Sequence, residues 1–254
     1  MESSRKPDES LAVKTLPAPL LRAIREVFAA AGPGIALVGG TALAGFYAAH
    51  RKSDDMDIFT ADADAQKAAV AAAKNLVNLG ATIDRERHSP MFYHSVARWD
   101  HHEFTIDVVL DHRIFQVGIF LTTPGGIAVA DLETLLKMKL ATLVSRCSEK
   151  DLFDLEWLMT NYKTLTVPDI LTLGHEIDGG YHAESVLISL ANAKTSAESC
   201  GFAVKFGISQ DAAYERVVAT KELFTRIFMD YLEADRQTPE IGRLIRALKK
   251  RVKR

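Results

Sequence analysis

The sequence predicts a mixed α+β fold, in which a mixed sheet with flanking helices is followed by a helical C-terminal part. Three observations carry this. Between residues 35 and 120, short apolar or alternating runs are interleaved with helical patterns; after Pro124, Gly125 and Gly126 only helical patterns remain; and glycine or proline marks most of the changes. A chain of 254 residues suits one large domain or two smaller ones, and the change of texture favours two. The expected division is a flexible tail over 1–15, a sheet-containing domain over 16–126, and a helical domain over 127–254.

The elements follow in order. Pro17 and Pro19 open a helix whose apolar positions, Leu20, Leu21, Ile24, Val27, Phe28 and Ala31, recur at helical spacing before Gly32, Pro33 and Gly34 stop it. Ile35 to Val38 reads as a buried strand that ends in Gly39 and Gly40, with a helix from Thr41 to His50. Asp55 to Phe59 alternates in polarity as a second strand, and an alanine-rich helix from about Asp64 to Leu79 is closed by Gly80. Strands are expected at Ala81 to Arg87, Phe92 to Trp99, Phe104 to Leu110 and Ile114 to Phe120, paired antiparallel. Helices are then expected at Asp131 to Val144, Lys150 to Thr160, Val167 to His175, Ala183 to Asn192 and Ala212 to Leu232.

Charge and composition exclude several classes of function. A formal charge of -2 gives no global basic field, so nucleic acid would have to bind through a local patch. Arg243, Arg246, Lys249, Lys250, Arg251, Lys253 and Arg254, set against an apolar stripe of Ile241, Leu244, Ile245, Leu248 and Val252, read as a basic amphipathic helix that fits an RNA backbone or an acidic protein partner, and equally an ordinary solvated helix end that favours cations. No apolar run reaches the roughly 18 residues of a membrane span, and the polar start is unlike a secretory signal, so a cytoplasmic protein without membrane contact is expected. Cys147 and Cys200 lack metal-type spacing and are expected as reduced thiols.

The chemistry is concentrated in the acids. In Asp55-Met56-Asp57-Ile58-Phe59 the two-residue period of a strand sends both aspartates to one face and Met56 and Ile58 to the other. Like charges that close raise each other's pKa unless a cation lies between them, and oxygen donors of this kind suit magnesium or manganese. Asp107 is the lone acid on a face shared with Thr105 and Val109; if its strand lies beside the first, three carboxylates converge. Upstream, Gly39 and Gly40 permit close backbone approach to a phosphate, and Thr41 opens a helix whose N-terminus favours an anion. Each feature alone also fits an ordinary solvated strand or tight turn; their combination is the specific signal.

Gly39, Gly40, Thr41, Ala42 and Leu43, followed by His50, Arg51, Ser53, Asp55, Asp57 and Phe59, resemble the nucleotidyltransferase signature of the AbiEii/AbiGii toxin family, part of the DNA polymerase beta-like superfamily. Lys139, Ala141, Arg146, Lys150, Asp151, Asp154 and Leu155 resemble that family's helical segment. The residues agree with this, because Lys139 and Arg146 fall on the inner stripe of Leu132, Leu135, Leu136 and Leu143, where cations require an anion to meet. Lys139 with Asp154 also fits a structural ion pair, and Asp151 a capping box with Ser148.

The resemblance implies a polymerase beta-like core with Asp55, Asp57 and Asp107 as magnesium ligands and catalytic acids. Lys139 and Asp154 join them as catalytic residues, and Gly39, Gly40, Thr41, Arg51, Ser53, Lys139, Arg146 and Asp151 are expected around the nucleotide. Arg51 is equally placed to compensate a helix dipole. The implied reaction moves a nucleoside monophosphate from an NTP, such as ATP or GTP, onto an acceptor with release of pyrophosphate. A tRNA is the acceptor expected from the family, and an antitoxin protein the expected partner. Two alternatives stay open: a transferase acting on a small molecule of the aminoglycoside type or on a protein side chain, and a nucleotide-binding module without turnover.

Overall fold

The computed structural model describes residues 5–162 and 165–237. The first ordered element is α1 (Glu9–Thr15), which corrects the expectation of a loose tail over 1–15. Its local cause is the Asp8 side chain, which accepts from the Ser10 amide as an N-cap, and its tertiary cause is burial of Ala12, Thr15 and Leu16. Further anchors tie it down: the Asp8 amide donates to the Phe46 carbonyl, and the Glu9 carboxylate accepts from the Gly125 amide at 2.7 Å.

Helix α2 (Ala18–Ala31) starts on the predicted proline pair and buries its Leu20, Ile24 and Val27 stripe. Strand β1 (Ile35–Leu37) leads directly into α3 (Gly39–Leu43), which continues as a π-helical turn over Ala44–Ala48 and ends with Ala49 in the left-handed region. Then come β2 (Asp55–Thr60), α4 (Ala63–Asn75), β3 (Thr82–Ser89), β4 (Phe92–Trp99) and β5 (His102–Leu110). Asp100 and His101, both at positive φ, make the tight turn that closes β4 onto β5.

The strand expected over Ile114 to Phe120 is corrected to a helix, α5 (His112–Val117), followed by β6 (Phe120–Thr122). Asp111 decides the matter, since its side chain accepts from the Arg113 and Ile114 amides and starts a helical turn. Strand β7 (Ala128–Ala130) lies past the boundary expected at 126 and still belongs to the sheet.

The seven strands run in the order β3-β4-β5-β2-β1-β7-β6. The β3-β4-β5 meander is antiparallel, as its sequence suggests, whereas β2 lies parallel to β5 and β1 parallel to β7. One face of the sheet presents Met56, Ile58, Ile106 and Val108, all fully buried, and packs against α2 and α4. The opposite face carries the acids.

Beyond β7 the described chain is helical: α6 (Leu132–Ser145), α7 (Glu149–Asn161), α8 (Val167–Ile177), α9 (Ala183–Asn192), a 3-10 segment over Glu198–Phe206, and α10 (Gln210–Gln237). Helices α7, α9 and the 3-10 segment pack on α10, and α8 packs on α6. The basic stretch from Ile241 to Arg254 lies outside the described residues. Both cysteines are free and buried, and no described helix is long and apolar enough to cross a membrane.

Candidate active site

Strand geometry gathers the acids. Asp55 pairs with Thr105 and Asp57 with Asp107 across the parallel β2–β5 ladder, so Asp57 and Asp107 are direct neighbours and Asp55 stands one step along the same face. Each is held differently. The Thr105 hydroxyl donates to Asp55 Oδ1 at 3.0 Å, and Lys150 Nζ lies 3.6 Å from Asp55 Oδ2. His94, opposite Asp107 on β4, places its Nδ1 2.6 Å from Asp107 Oδ1.

Asp57 accepts no side-chain hydrogen bond among the described residues, and Gly39 leaves room for it. Gly39 has φ +68°, and a Cβ there would stand 2.2 Å from Asp57 Oδ2, so only glycine lets the turn close over the acid. Burial, then the charges of Asp55 and Asp107, push the Asp57 carboxyl up to about 7, against the pull of Lys139 and Arg146. Among the described residues no group of three or more His, Cys, Asp or Glu stands ready-made at metal-holding geometry. The three acids share a face and repel one another, with the two outer ones turned towards His94, Thr105 and Lys150.

The rest of the glycine turn is an internal brace. The Thr41 hydroxyl is buried 2.8 Å from that of Ser53 and donates to the Asp55 carbonyl, so Thr41 and Ser53 join the turn to the start of β2. A Cβ on Gly40 would meet Arg51 Nη2 at 2.2 Å; its bareness makes room for a guanidinium. Val38 offers no side chain to cap the first turn of α3, leaving that end to backbone amides.

Arg51 corrects the expectation of a phosphate contact. It is 2% exposed and forks onto Asp154, with Nε at 2.6 Å from Oδ1 and Nη2 at 2.8 Å from Oδ2, while Nη1 donates to the Lys52 carbonyl. His50 Nε2 donates to Asp154 Oδ1 at 2.8 Å, and Lys139 Nζ lies 2.8 Å from both Asp154 Oδ2 and Asp151 Oδ1. Asp151 completes a capping box with Ser148 and also receives Arg146 Nε at 2.9 Å. The capping-box reading of Asp151 therefore holds, and the same buried carboxylate pairs with Lys139 and Arg146.

This network joins the segment before β2 to α6 and α7. Burial alone would raise the Asp154 carboxyl, but Arg51 and Lys139 more than reverse it and hold the group well below the usual carboxylate range. Asp151 is depressed in the same way, with Lys139 and Arg146 outweighing its burial. Asp154 and Lys139, expected to act on the substrate, are instead buried partners, at 0% and 4% exposure. The cations open to solvent beside the acids are Arg146 and Lys150, whose side chains are 64% and 47% exposed. Nothing in the local sequence around His94 or Thr105 marks either as part of the site. Only the strand register, which places them opposite or beside acids, reveals them.

A mixed sheet with paired acids on one strand, a third acid in register on the next, and a glycine turn closed over them is the arrangement of a nucleotidyltransferase. A family model described as nucleotidyl transferase AbiEii toxin, of type IV toxin–antitoxin systems, matches residues 21–176. The chain belongs to this family of toxin nucleotidyltransferases. Among solved structures it is similar to JHP933 from Helicobacter pylori, with 16% identity, 89% of this chain and 97% of that chain covered, and a TM-score of 0.49. It is also similar to MenT4, a nucleotidyltransferase toxin from Mycobacterium tuberculosis, with 15% identity, coverage of 85% and 87%, and a TM-score of 0.48. No curated protein matches.

Proposed function

We propose that this toxin transfers a nucleoside monophosphate from an NTP to an acceptor hydroxyl, with pyrophosphate released, tRNA as the acceptor, and magnesium as the cation, for which manganese can substitute. The observation that supports the reading is the in-register pairing of Asp57 with Asp107, beside Asp55. Their repulsion is only partly offset by Lys139 and Arg146. Hard carboxylate oxygens from two adjacent strands fit magnesium, and Asp55, Asp57 and Asp107 are the residues that would hold it. When bound, the ion neutralises phosphate charge and lowers the pKa of a ligated hydroxyl.

The chain's own groups do the rest. Arg146 and Lys150, exposed beside the acids, meet the phosphates of the NTP, and the uncapped amides at the start of α3 face the same charge. Asp107, steadied by His94, accepts the proton of the attacking hydroxyl. The buried Arg51–Asp154–Lys139–Asp151 network sets the relation of α6 and α7 to the acid-bearing face, so its members position the site without touching substrate. An antitoxin is the proposed protein partner, and the basic stretch from Ile241 to Arg254 a proposed contact for the tRNA backbone.

The test offers labelled NTPs with magnesium to tRNA, an aminoglycoside and a protein acceptor in parallel. Label is expected on tRNA, lost without divalent cation and lost in Asp55→Ala with the fold retained. Undiminished transfer by Asp55→Ala would reject the site, and label on another acceptor would reject tRNA.

A further inference from the structure

We infer that His94 and Thr105 are positioning residues, each holding one oxygen of an outer acid so that the other oxygen is presented to a divalent cation. The inference rests on the cation site proposed above and adds two residues to it. Its basis is a repeated pattern in the sheet. Asp55 on β2 receives a hydroxyl from its register partner Thr105 on β5, and Asp107 on β5 receives an imidazole nitrogen from its register partner His94 on β4. In both cases the oxygen engaged is Oδ1. Oδ2 of Asp107 has no partner among the described residues, and Oδ2 of Asp55 has only Lys150 at 3.6 Å.

The chemistry follows from what each donor can do. An imidazole N–H donates one hydrogen bond to a carboxylate oxygen and so fixes the rotation of the carboxylate. The Phe92 ring lies beside that of His94, with centroids 6.3 Å apart and an interplanar angle of 18°. A threonine hydroxyl does the same for Asp55 with no charge at all. Carboxylates fixed in this way lose less freedom when they ligate an ion, and hydrogen-bonded partners of ligands commonly change metal affinity by about 10- to 100-fold. Asp57, which lacks such a donor, lies in the space left by Gly39, where a Cβ would stand 2.2 Å from its Oδ2. Asp55 and Asp107 are thus each held by a donor from a neighbouring strand.

The experiment measures binding of Mn2+ alone to the full chain by calorimetry and by electron paramagnetic resonance, with thermal midpoints recorded in metal-free buffer. Asp55→Asn and Asp107→Asn should abolish binding. His94→Ala should weaken it about tenfold with an unchanged midpoint. His94→Asn, whose amide nitrogen sits where Nδ1 does, should restore most of that loss, which a merely structural role would not produce. Thr105→Val should weaken binding several-fold. If His94→Ala binds Mn2+ as tightly as the unaltered chain or more tightly, or if His94→Asn is no better than His94→Ala, the positioning role is overturned. Wild-type affinity in Asp55→Asn and Asp107→Asn would instead overturn the cation site itself.

Discussion

Replacing Asp154 by alanine tests whether the buried network is a structural support or a substrate contact. Asp154 is fully buried and meets Arg51 at 2.6 and 2.8 Å, His50 at 2.8 Å and Lys139 at 2.8 Å. In the variant Lys139 keeps Asp151, but Arg51 keeps only the Lys52 carbonyl as a hydrogen-bond acceptor, beside the Phe202 ring, and becomes a buried cation without its paired carboxylate. Removing one partner of a buried pair costs about 3–5 kcal/mol, roughly a fifth or more of a typical folding free energy of about 5–15 kcal/mol. For a chain of this size each kcal/mol moves the thermal midpoint by roughly 2–4 °C, so a drop of about 6–20 °C is expected. Urea unfolding followed by circular dichroism gives the free energy directly, and transfer activity in Asp154→Ala should fall in step with the folded fraction. Pairing the change with Arg51→Met removes the stranded cation and should recover much of the loss. A loss under about 1 kcal/mol, or a double variant as weak as the sum of the singles, would refute the assignment.

Acid should attack the same network. Asp151 and Asp154 have folded pKa values below the unfolded value near 3.8, so the stability they contribute is present above that pH and lost as pH falls through their folded values. Thermal midpoints recorded from about pH 5 to pH 2 should fall more steeply for the unaltered chain than for Asp154→Asn, and parallel curves would count against this. Asp57→Asn should abolish transfer while leaving the metal-free midpoint unchanged or higher, because it removes a repelled charge. The same variant should lose the stabilisation by magnesium, about 2.7 kcal/mol at a hundred times Kd; a lowered midpoint with magnesium stabilisation intact would contradict both points. Gly39→Ala places a Cβ at 2.2 Å from Asp57 Oδ2 on a backbone at φ +68°, so a loss of about 1–3 kcal/mol with at least a roughly tenfold fall in kcat is expected by chemical unfolding and steady-state assay. Arg146→Ala, which removes an exposed cation, should raise KM for the NTP about tenfold with a smaller effect on kcat, and an unchanged KM would remove Arg146 from the nucleotide contacts.

What could be read beforehand was set by sequence distance. The face shared by Asp55 and Asp57 is legible because it depends only on the strand's two-residue period, and the inward cation Lys139 is legible because it falls on a helix stripe; Arg146, expected on the same stripe, is exposed instead, because α6 ends at Ser145 and Arg146 leaves helical geometry. The register of Asp57 with Asp107 is not, since it depends on a parallel pairing of strands separated by α4, β3 and β4. Arg51 illustrates the same limit: its counterion lies 103 residues away, and from the sequence alone the end of a helix is as good a place to bind phosphate as to meet a carboxylate. The misread strand after Leu110 has a local cause, because an apolar run of that length suits either element and the Asp111 cap settles which forms.

The position of β7 limits how far this enzyme can be trimmed. A fragment ending at 126 would keep Asp55, Asp57, Asp107 and the whole glycine turn, yet β1 would lose the strand that flanks it on one side, exposing a row of backbone amides and carbonyls. It would also leave Arg51 with no counterion, because Asp154 would be gone. A minimal catalytic piece cut at that glycine pair should therefore clump, whereas a longer one running through α7 would retain both the missing flank and the missing charge.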